Sequence, residues 1–155
     1  MAQTVVDTPI GPLGLAASDS ALQSVTFHGG RLRPEGRSPV LDEAARQLEA
    51  YFKGELVSFD LPLELHGTEF QRQCWLALST IPYGQTVSYG EQARRLGLGS
   101  EQARAVGAAN GRNPLPLVLP CHRVIGADGS LTGFGGGLDV KRFLLELEGA
   151  LLPLG

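Results

Sequence analysis

Ser88-Tyr-Gly-Glu-Gln-Ala-Arg-Arg-Leu-Gly-Leu-Gly-Ser-Glu-Gln-Ala-Arg-Ala-Val-Gly-Ala-Ala-Asn110 decides the architecture of the second half of the chain. Ser88 and Glu91 occupy the first and fourth places of a capping box, in which each side chain satisfies an orphan N–H of the other residue. The box opens a short helix, Tyr89–Leu96, and Gly97 closes it. Gly99 and Ser100 lead into a second helix, Glu101–Asn110, with Ser100 as its expected cap. Two short helices around a tight glycine-containing turn are a helix-turn-helix signature, although a helical hairpin in a core has the same spacing. The second helix is slim, because Arg104 is followed by Ala105, Val106, Gly107, Ala108 and Ala109. Glycine inside a helix costs about 1 kcal/mol relative to alanine, so Gly107 implies a close approach, either of another backbone or of a packed helix.

On the N-terminal side, Thr68-Glu-Phe-Gln71 is a second capping box. It starts a helix through Trp75 and Leu78 that ends before Ile81-Pro82. Cys74 inside this helix fits a buried small hydrophobe. Residues 1–65 follow another pattern. Thr4–Val6, Leu13–Ala17 and Leu22–Phe27 are short β-prone runs separated by turn residues, which predicts a β-hairpin or small meander. Gly29–Arg37 is a loop. Ser38-Pro39 then places a cap before a proline at the first helical position, and Leu41, Ala44, Ala45, Leu48, Tyr51 and Phe52 follow at helical spacing up to Gly54. Phe59–Leu65 is an extended segment leading to a boundary at His66. The fold class is mixed α/β (α+β), with a small N-terminal α/β domain, 1–65, and a mostly helical C-terminal domain, 66–155.

Composition narrows the function classes. The 155 residues are 43% hydrophobic and 19% charged, a globular balance. Two cysteines and three histidines supply neither a disulfide framework nor zinc-ligand spacing, so no metal is expected. No apolar run approaches the roughly 20 residues of a membrane helix, and Met1-Ala-Gln-Thr4 opens without a signal-like segment. The expectation is a cytoplasmic protein with reduced thiols and no membrane partner. Residues 1–65 hold nine Asp/Glu against five Lys/Arg, whereas 66–155 hold eight Lys/Arg against seven Asp/Glu. The second half is therefore the more suitable place for an anionic partner, although the asymmetry is small and most of this size carry no meaning.

The chemistry concentrates in Asn113-Pro-Leu-Pro-Leu-Val-Leu-Pro-Cys-His-Arg-Val-Ile-Gly126. An apolar, strand-like run ends at Pro120 and leaves Cys121 at a bend. A thiol becomes a nucleophile beside a base or a positive charge, and His122 and Arg123 follow it directly. Neighbours on an extended chain point opposite ways, so His122 needs a turn or a bridging water to reach Cys121. An acid should orient the imidazole, and the candidate is Glu148, at the end of a helix Val140–Glu148 capped by Asp139. A carboxylate in the last turn opposes the helix dipole at about 0.3–1 kcal/mol, although a solvated surface position is an ordinary alternative. Gly126–Gly137, rich in glycine, is a loop able to form one pocket wall. A Cys-His-Glu hydrolase would use the same three groups but leaves the slim helix unexplained. A helix-turn-helix regulator explains that helix and leaves Cys121 idle.

Pro120-Cys-His-Arg-Val124, with Asn113-Pro114 before it and the glycine-rich loop after it, resembles the methylated-DNA–protein-cysteine methyltransferases, the O6-alkylguanine-DNA alkyltransferases. Ile81-Pro-Tyr-Gly84, Val87-Ser-Tyr89, Arg104-Ala-Val-Gly107, Leu144–Gly149 and Thr8-Pro-Ile-Gly-Pro-Leu13 extend the resemblance over nearly the whole chain. It implies single-turnover repair of O6-alkylguanine, and of O4-alkylthymine, in double-stranded DNA. The helix-turn-helix would enter the minor groove, and the damaged base would flip out of the stack. Cys121 would take the alkyl group, with His122 as base through a water, Glu148 orienting it and Asn113 bracing the turn. Tyr89 would assist rotation of the base and donate to it, and Arg104 would fill the space it vacates. Arg94, Arg95, Ser100 and Gly107 complete the implied DNA surface, with Arg72, Arg112, Lys141 and Arg142 as further phosphate contacts. Pro116, Val124, Phe134, Gly135 and Gly136 would line the substrate pocket, with Phe134 where many members carry tyrosine. No cofactor and no obligatory protein partner are implied.

Overall fold

The computed structural model describes residues 2–29 and 33–152, so part of the expected loop Gly29–Arg37 lies outside the described residues. The chain divides into two compact units, Met1–Leu65 and His66–Gly155.

In the first unit, strands β1 (Ala2–Val6), β2 (Leu13–Ala17) and β3 (Leu22–Thr26) form an antiparallel meander in the order β1-β2-β3. Thr4 pairs with Leu15, and Leu15 with Val25. The turns are made by side chains that replace backbone partners. Thr8 Oγ1 donates to the Gly11 carbonyl, and Ser18 Oγ accepts from the Ser20 and Ala21 amides. The central strand is buried throughout, which suits its small residues Gly14, Ala16 and Ala17. Helix α1 (Pro39–Phe52) packs on β2 through Leu41, Ala44, Leu48 and Tyr51. Each large side chain so buried contributes about 1.5–3 kcal/mol. Ser38 caps this helix by accepting from the Leu41 amide. The 59–65 segment runs beside β3: Leu22 N donates to Pro62 O at 2.8 Å, and Glu64 N to Leu22 O at 3.0 Å.

The second unit contains α2 (Glu69–Leu78), β4 (Val87–Ser88), α3 (Tyr89–Arg95), α4 (Ala103–Asn110), β5 (Val124–Ile125) and α5 (Leu138–Leu147). At α2 both arms of the capping box are made, Gln71 N to Thr68 Oγ1 at 3.1 Å and Thr68 N to Gln71 Oε1 at 3.0 Å. The helices meet around Cys74, Ala93, Val106 and Ala109, flanked by Phe70, Leu96 and Leu98. Two polar locks fix their angles. Trp75 Nε1 donates to Ala109 O at 2.7 Å, and the buried amides of Gln92 and Asn110 exchange hydrogen bonds at 2.8 and 3.1 Å. Strands β4 and β5 pair in parallel, Val87 opposite Val124, which sets the start of α3 beside the segment carrying Cys121.

Several local expectations need correcting. Ser88 accepts from the Glu91 amide, but the Glu91 carboxylate is taken by Arg94 and Arg95 and makes no described return bond. Ser100 is not a cap: residues Ser100–Gln102 wind as a 3₁₀ turn without a side-chain cap, and α4 begins only at Ala103. The close neighbour of Gly107 is not a backbone but the Tyr89 ring, which a Cβ there would meet at 3.5 Å, an ordinary contact. The apolar run Leu115–Leu119 is no strand. Prolines 114, 116 and 120 lack amide donors for a ladder, and Leu119 N instead bonds Leu115 O around Leu117, whose φ is +72°. Helix α5 begins at Leu138 after Gly137 (φ +97°), so Asp139 sits inside its first turn rather than capping it.

Candidate active site

Asn113 holds the loop before the cysteine closed. Its Nδ2 donates to Leu119 O at 2.8 Å, and its Oδ1 accepts from Leu115 N at 2.9 Å. Pro120 then leads into a 3₁₀ turn, Cys121–Arg123, stabilised by Arg123 N to Pro120 O at 3.1 Å. A 3₁₀ turn rotates successive side chains by about a third of a circle. Cys121 is consequently half-buried while His122 and Arg123 turn into the core. The turn anticipated from the sequence is therefore present, and it separates the nucleophile from the groups beneath it.

Those groups form a buried cluster around Glu148, the residue that ends α5. His122 Nε2 lies 2.7 Å from Glu148 Oε2. Arg123 reaches both carboxylate oxygens, Nε to Oε1 at 2.8 Å and Nη2 to Oε2 at 3.0 Å, and its Nη1 donates to Ile81 O at 2.7 Å. Tyr83 covers the guanidinium, its ring centroid 5.7 Å from Cζ, and its hydroxyl donates to Leu147 O at 3.4 Å. Glu148 is 5% exposed, which removes the solvated-surface alternative. A carboxylate gripped by arginine in two places is ionised, so the imidazole donates its Nε2–H to it. Nδ1 is then the basic nitrogen, and it is buried without a hydrogen-bond partner among the described residues.

Burial sets the protonation states. It holds the His122 imidazole below its ordinary 6.5, against the pull of Glu148, and the charges of Arg123 and Lys141 push the same way. Burial likewise raises the Cys121 thiol above 9.0, opposed by the Asn113 side chain and by the charge of Lys141. Near neutrality the pair is a thiol and a neutral imidazole, a nucleophile awaiting deprotonation and a base able to perform it.

Lys141 is a further member that sequence reasoning placed wrongly, among the phosphate contacts. It is fully buried, and its Nζ donates to Val124 O at 2.7 Å and to Thr132 O at 2.8 Å. Desolvation lowers its pKa to about 8. The signal was available: Lys141, Leu144, Leu145 and Glu148 recur at i, i+3, i+4 and i+7, one face of α5, and all four are buried.

The helix-turn-helix carries the remaining candidates. Tyr89, Ala103, Arg104, Gly107, Thr132 and Gly133 line one cavity of about 420 Å³. The Tyr89 hydroxyl donates to Thr132 O at 3.2 Å, joining α3 to the glycine-rich loop. Arg104, Ala105 and Ala108 are exposed on α4, and Ser100 is exposed on the turn before it. Arg94 and Arg95 are exposed on α3, both paired with Glu91. Pro116, Val124 and Gly136 are buried, Phe134 is half-buried and Gly135 exposed, and none of these five lines the α4 cavity. Among the described residues, no group of His, Cys, Asp and Glu is arranged to hold a metal ion, and no helix is long and apolar enough to cross a membrane.

Comparison with known proteins bears on both units. Residues 1–65 match the family model of the 6-O-methylguanine DNA methyltransferase ribonuclease-like domain, and residues 69–150 match that of the DNA binding domain of the same proteins. A methylated-DNA–protein-cysteine methyltransferase of Methanosarcina acetivorans is 49% identical, over 97% of this chain and 99% of its own length. The Mycobacterium tuberculosis protein of the same name is 50% identical, over 96% of this chain and 92% of its own. A crystal structure of Mycobacterium tuberculosis OGT in complex with DNA superposes with a TM-score of 0.88 at 50% identity, covering 96% of this chain and 92% of that one. Matches to both domain models, joined to half-identical relatives of nearly equal length, establish that the chain belongs to the 6-O-methylguanine DNA methyltransferase family.

Proposed function

We propose that this protein repairs O6-alkylguanine in duplex DNA by moving the alkyl group onto its own Cys121, once per molecule. The observation that carries the reading is a half-buried thiol followed, in one 3₁₀ turn, by a buried imidazole whose Nε2 is fixed on Glu148 and whose Nδ1 has no hydrogen-bond partner among the described residues. His122, acting through a bridging water, takes the thiol proton. The thiolate attacks the alkyl carbon, the S–C bond forms as the C–O6 bond breaks, and the electron pair leaves with guanine, which regains a proton. The product thioether has no base to expel it, so the reaction stops there and needs no cofactor.

Chemistry on a stacked base requires the base to leave the helix. The slim exposed face of α4, Arg104 with Ala105 and Ala108, suits close approach to a groove, and the cavity beside Arg104 and Tyr89 suits an extrahelical nucleotide. Arg104 then occupies the gap in the stack. Arg94 and Arg95 turn from Glu91 to phosphate at little cost, because exposed ion pairs contribute only about 0.3–0.5 kcal/mol each. A reaction that needs a free thiol suits a reducing compartment, and the cytoplasm is the setting proposed for it. Intact-mass measurement after mixing with an O6-methylguanine duplex should show one added methyl, lost in Cys121→Ser and kept in Cys74→Ser. An unchanged mass in the wild-type protein sinks the proposal.

A further inference from the structure

The transfer chemistry assigns parts to Cys121, His122 and Glu148, and gives Lys141 only the support that its charge lends the thiolate. Lys141 nevertheless brings an ammonium into a fully buried position beside Leu144 and Leu145, where methionine would fill the space without losing hydration. Its partners are two carbonyls and a ring. Nζ donates to Val124 O on β5 and to Thr132 O on the glycine-rich loop, and lies 5.9 Å from the centroid of Tyr89 on α3. One ammonium thus ties β5, which directly follows the Cys121 turn, to two segments that line the α4 cavity.

The Thr132 carbonyl is shared. Lys141 donates to it at 2.8 Å and the Tyr89 hydroxyl at 3.2 Å, and its two lone pairs accommodate both. Tyr89 lines the cavity, so a base entering there meets a phenol whose proton already points at the loop. When that proton turns to an acceptor on the base, the carbonyl keeps its bond from Lys141, the stronger of the two because it is charge-assisted. With methionine at 141, the Tyr89 hydroxyl would be the protein donor left to that carbonyl, and the loop would lose the charged anchor that fixes it.

We propose that Lys141 is a positioning residue for alkyl transfer: it fixes the Thr132 carbonyl so that the Tyr89 hydroxyl can leave it for the incoming base. The inference rests on the reading of the chain as an alkyl acceptor. Its test is a double-mutant cycle with Lys141→Met, Tyr89→Phe and their combination, read as labelling rate against concentration of an O6-methylguanine duplex. Tyr89→Phe should cost about tenfold or more in the wild-type background and less than about threefold beside Lys141→Met, because there the hydroxyl is already committed to the loop. Lys141→Arg keeps donors for both carbonyls, so it should recover most of the rate and restore the full Tyr89→Phe penalty. Equal penalties in the wild-type and methionine backgrounds overturn the proposal, as does an arginine variant in which the penalty shrinks. Far-ultraviolet circular dichroism checks folding, and where the methionine variant does not fold the arginine arm decides alone. A wild-type protein that takes no label refutes the alkyl-acceptor reading instead.

Discussion

Replacing His122 by glutamine separates the base from the scaffold. A glutamine amide still donates to Glu148 Oε2, and Arg123 retains its bonds at 2.8 and 3.0 Å, so the carboxylate stays paired. The stability loss should stay near the value of one hydrogen bond, about 1 kcal/mol. The rate should respond far more. A thiol with a pKa of 9.0 is ionised in only about one molecule in a hundred at pH 7, and burial lifts Cys121 above that value. A general base contributes about 10²–10⁴-fold, so His122→Gln should slow methyl transfer by about that factor at pH 7. The shape of the pH profile is the sharper test. The imidazole titrates below 6.5, so the wild-type base is already neutral above that pH and its rate should be flat up to about 8. There Lys141 begins to lose its charge, the thiolate loses support, and the rate should fall. Without the base, transfer depends on spontaneous ionisation, so the logarithm of the His122→Gln rate should rise with a slope of about one per pH unit. Quenched single-turnover reactions with O6-methylguanine duplex, read by intact mass between pH 6 and 9, give both curves. A flat variant profile within tenfold of wild type would refute the assignment of His122.

Asn113→Ala unpairs the Leu115 amide and opens the loop before the cysteine, so it should cost about 1–3 kcal/mol in denaturant unfolding and slow transfer in step; unaltered stability would mean that Asn113 does not brace this loop. Arg104→Ala should slow repair in duplex DNA far more than reaction with the free modified base, which bears none of the few kcal/mol of unstacking, and equal losses would exclude a role in holding the base out. DNA affinity should fall with salt by about 0.9 logarithmic units per phosphate contact, with Arg94→Ala and Arg95→Ala each flattening the slope and Lys141 contributing nothing; slopes unmoved by either arginine would place the phosphates elsewhere.

Where local chemistry decides, the sequence was a faithful guide. The cap and proline at Ser38-Pro39, the box Thr68–Gln71 and the three-stranded meander are set by residues within four positions of one another, and the structure builds each of them. The chemical motif was legible for the same reason, since Cys121, His122 and Arg123 are consecutive. The loop before it was not. An apolar run predicts a strand by periodicity, but here three prolines and the two bonds of Asn113 bend it into a buried turn that carries Leu117 in the left-handed region. Lys141 was misplaced because a lone lysine on a helix is ordinarily solvated. Its helical spacing with Leu144, Leu145 and Glu148 points inward, but the carbonyls that accept from it, Val124 O and Thr132 O, lie on other segments. Ser100 and Asp139 failed as caps because Ser100 itself begins the 3₁₀ turn before α4 and because Gly137, two residues before Asp139, starts α5 from a positive φ.

The buried charges explain how one site can keep its thiol protonated at rest and still use it. Glu148 is balanced by Arg123, which grips both of its oxygens, and His122 beside them is neutral. Lys141 then stands as a positive charge partnered by carbonyls instead of a carboxylate, and it supports the ionised form of Cys121. In the resting state the cluster has one positive charge in excess, an arrangement that burial penalises, as the lowered pKa of Lys141 records. When the proton passes from Cys121 to His122, the cluster keeps its net charge, but the thiolate gains the support of Lys141 and the imidazolium that of Glu148. Ionisation, which burial resists, is thus partly offset by these two opposite charges, while burial keeps the resting thiol protonated. Alkylation consumes the thiolate and leaves a thioether that cannot ionise. Burial raises the folded thiol above its unfolded value, so the unmodified protein should lose stability as pH rises toward 9, a loss that the methylated protein does not share; any deficit of the methylated protein should therefore be larger at pH 6 than at pH 9. Matched denaturant titrations of the methylated and unmodified protein at pH 6 and pH 9 measure it, and a difference independent of pH would show that the loss is steric instead of electrostatic.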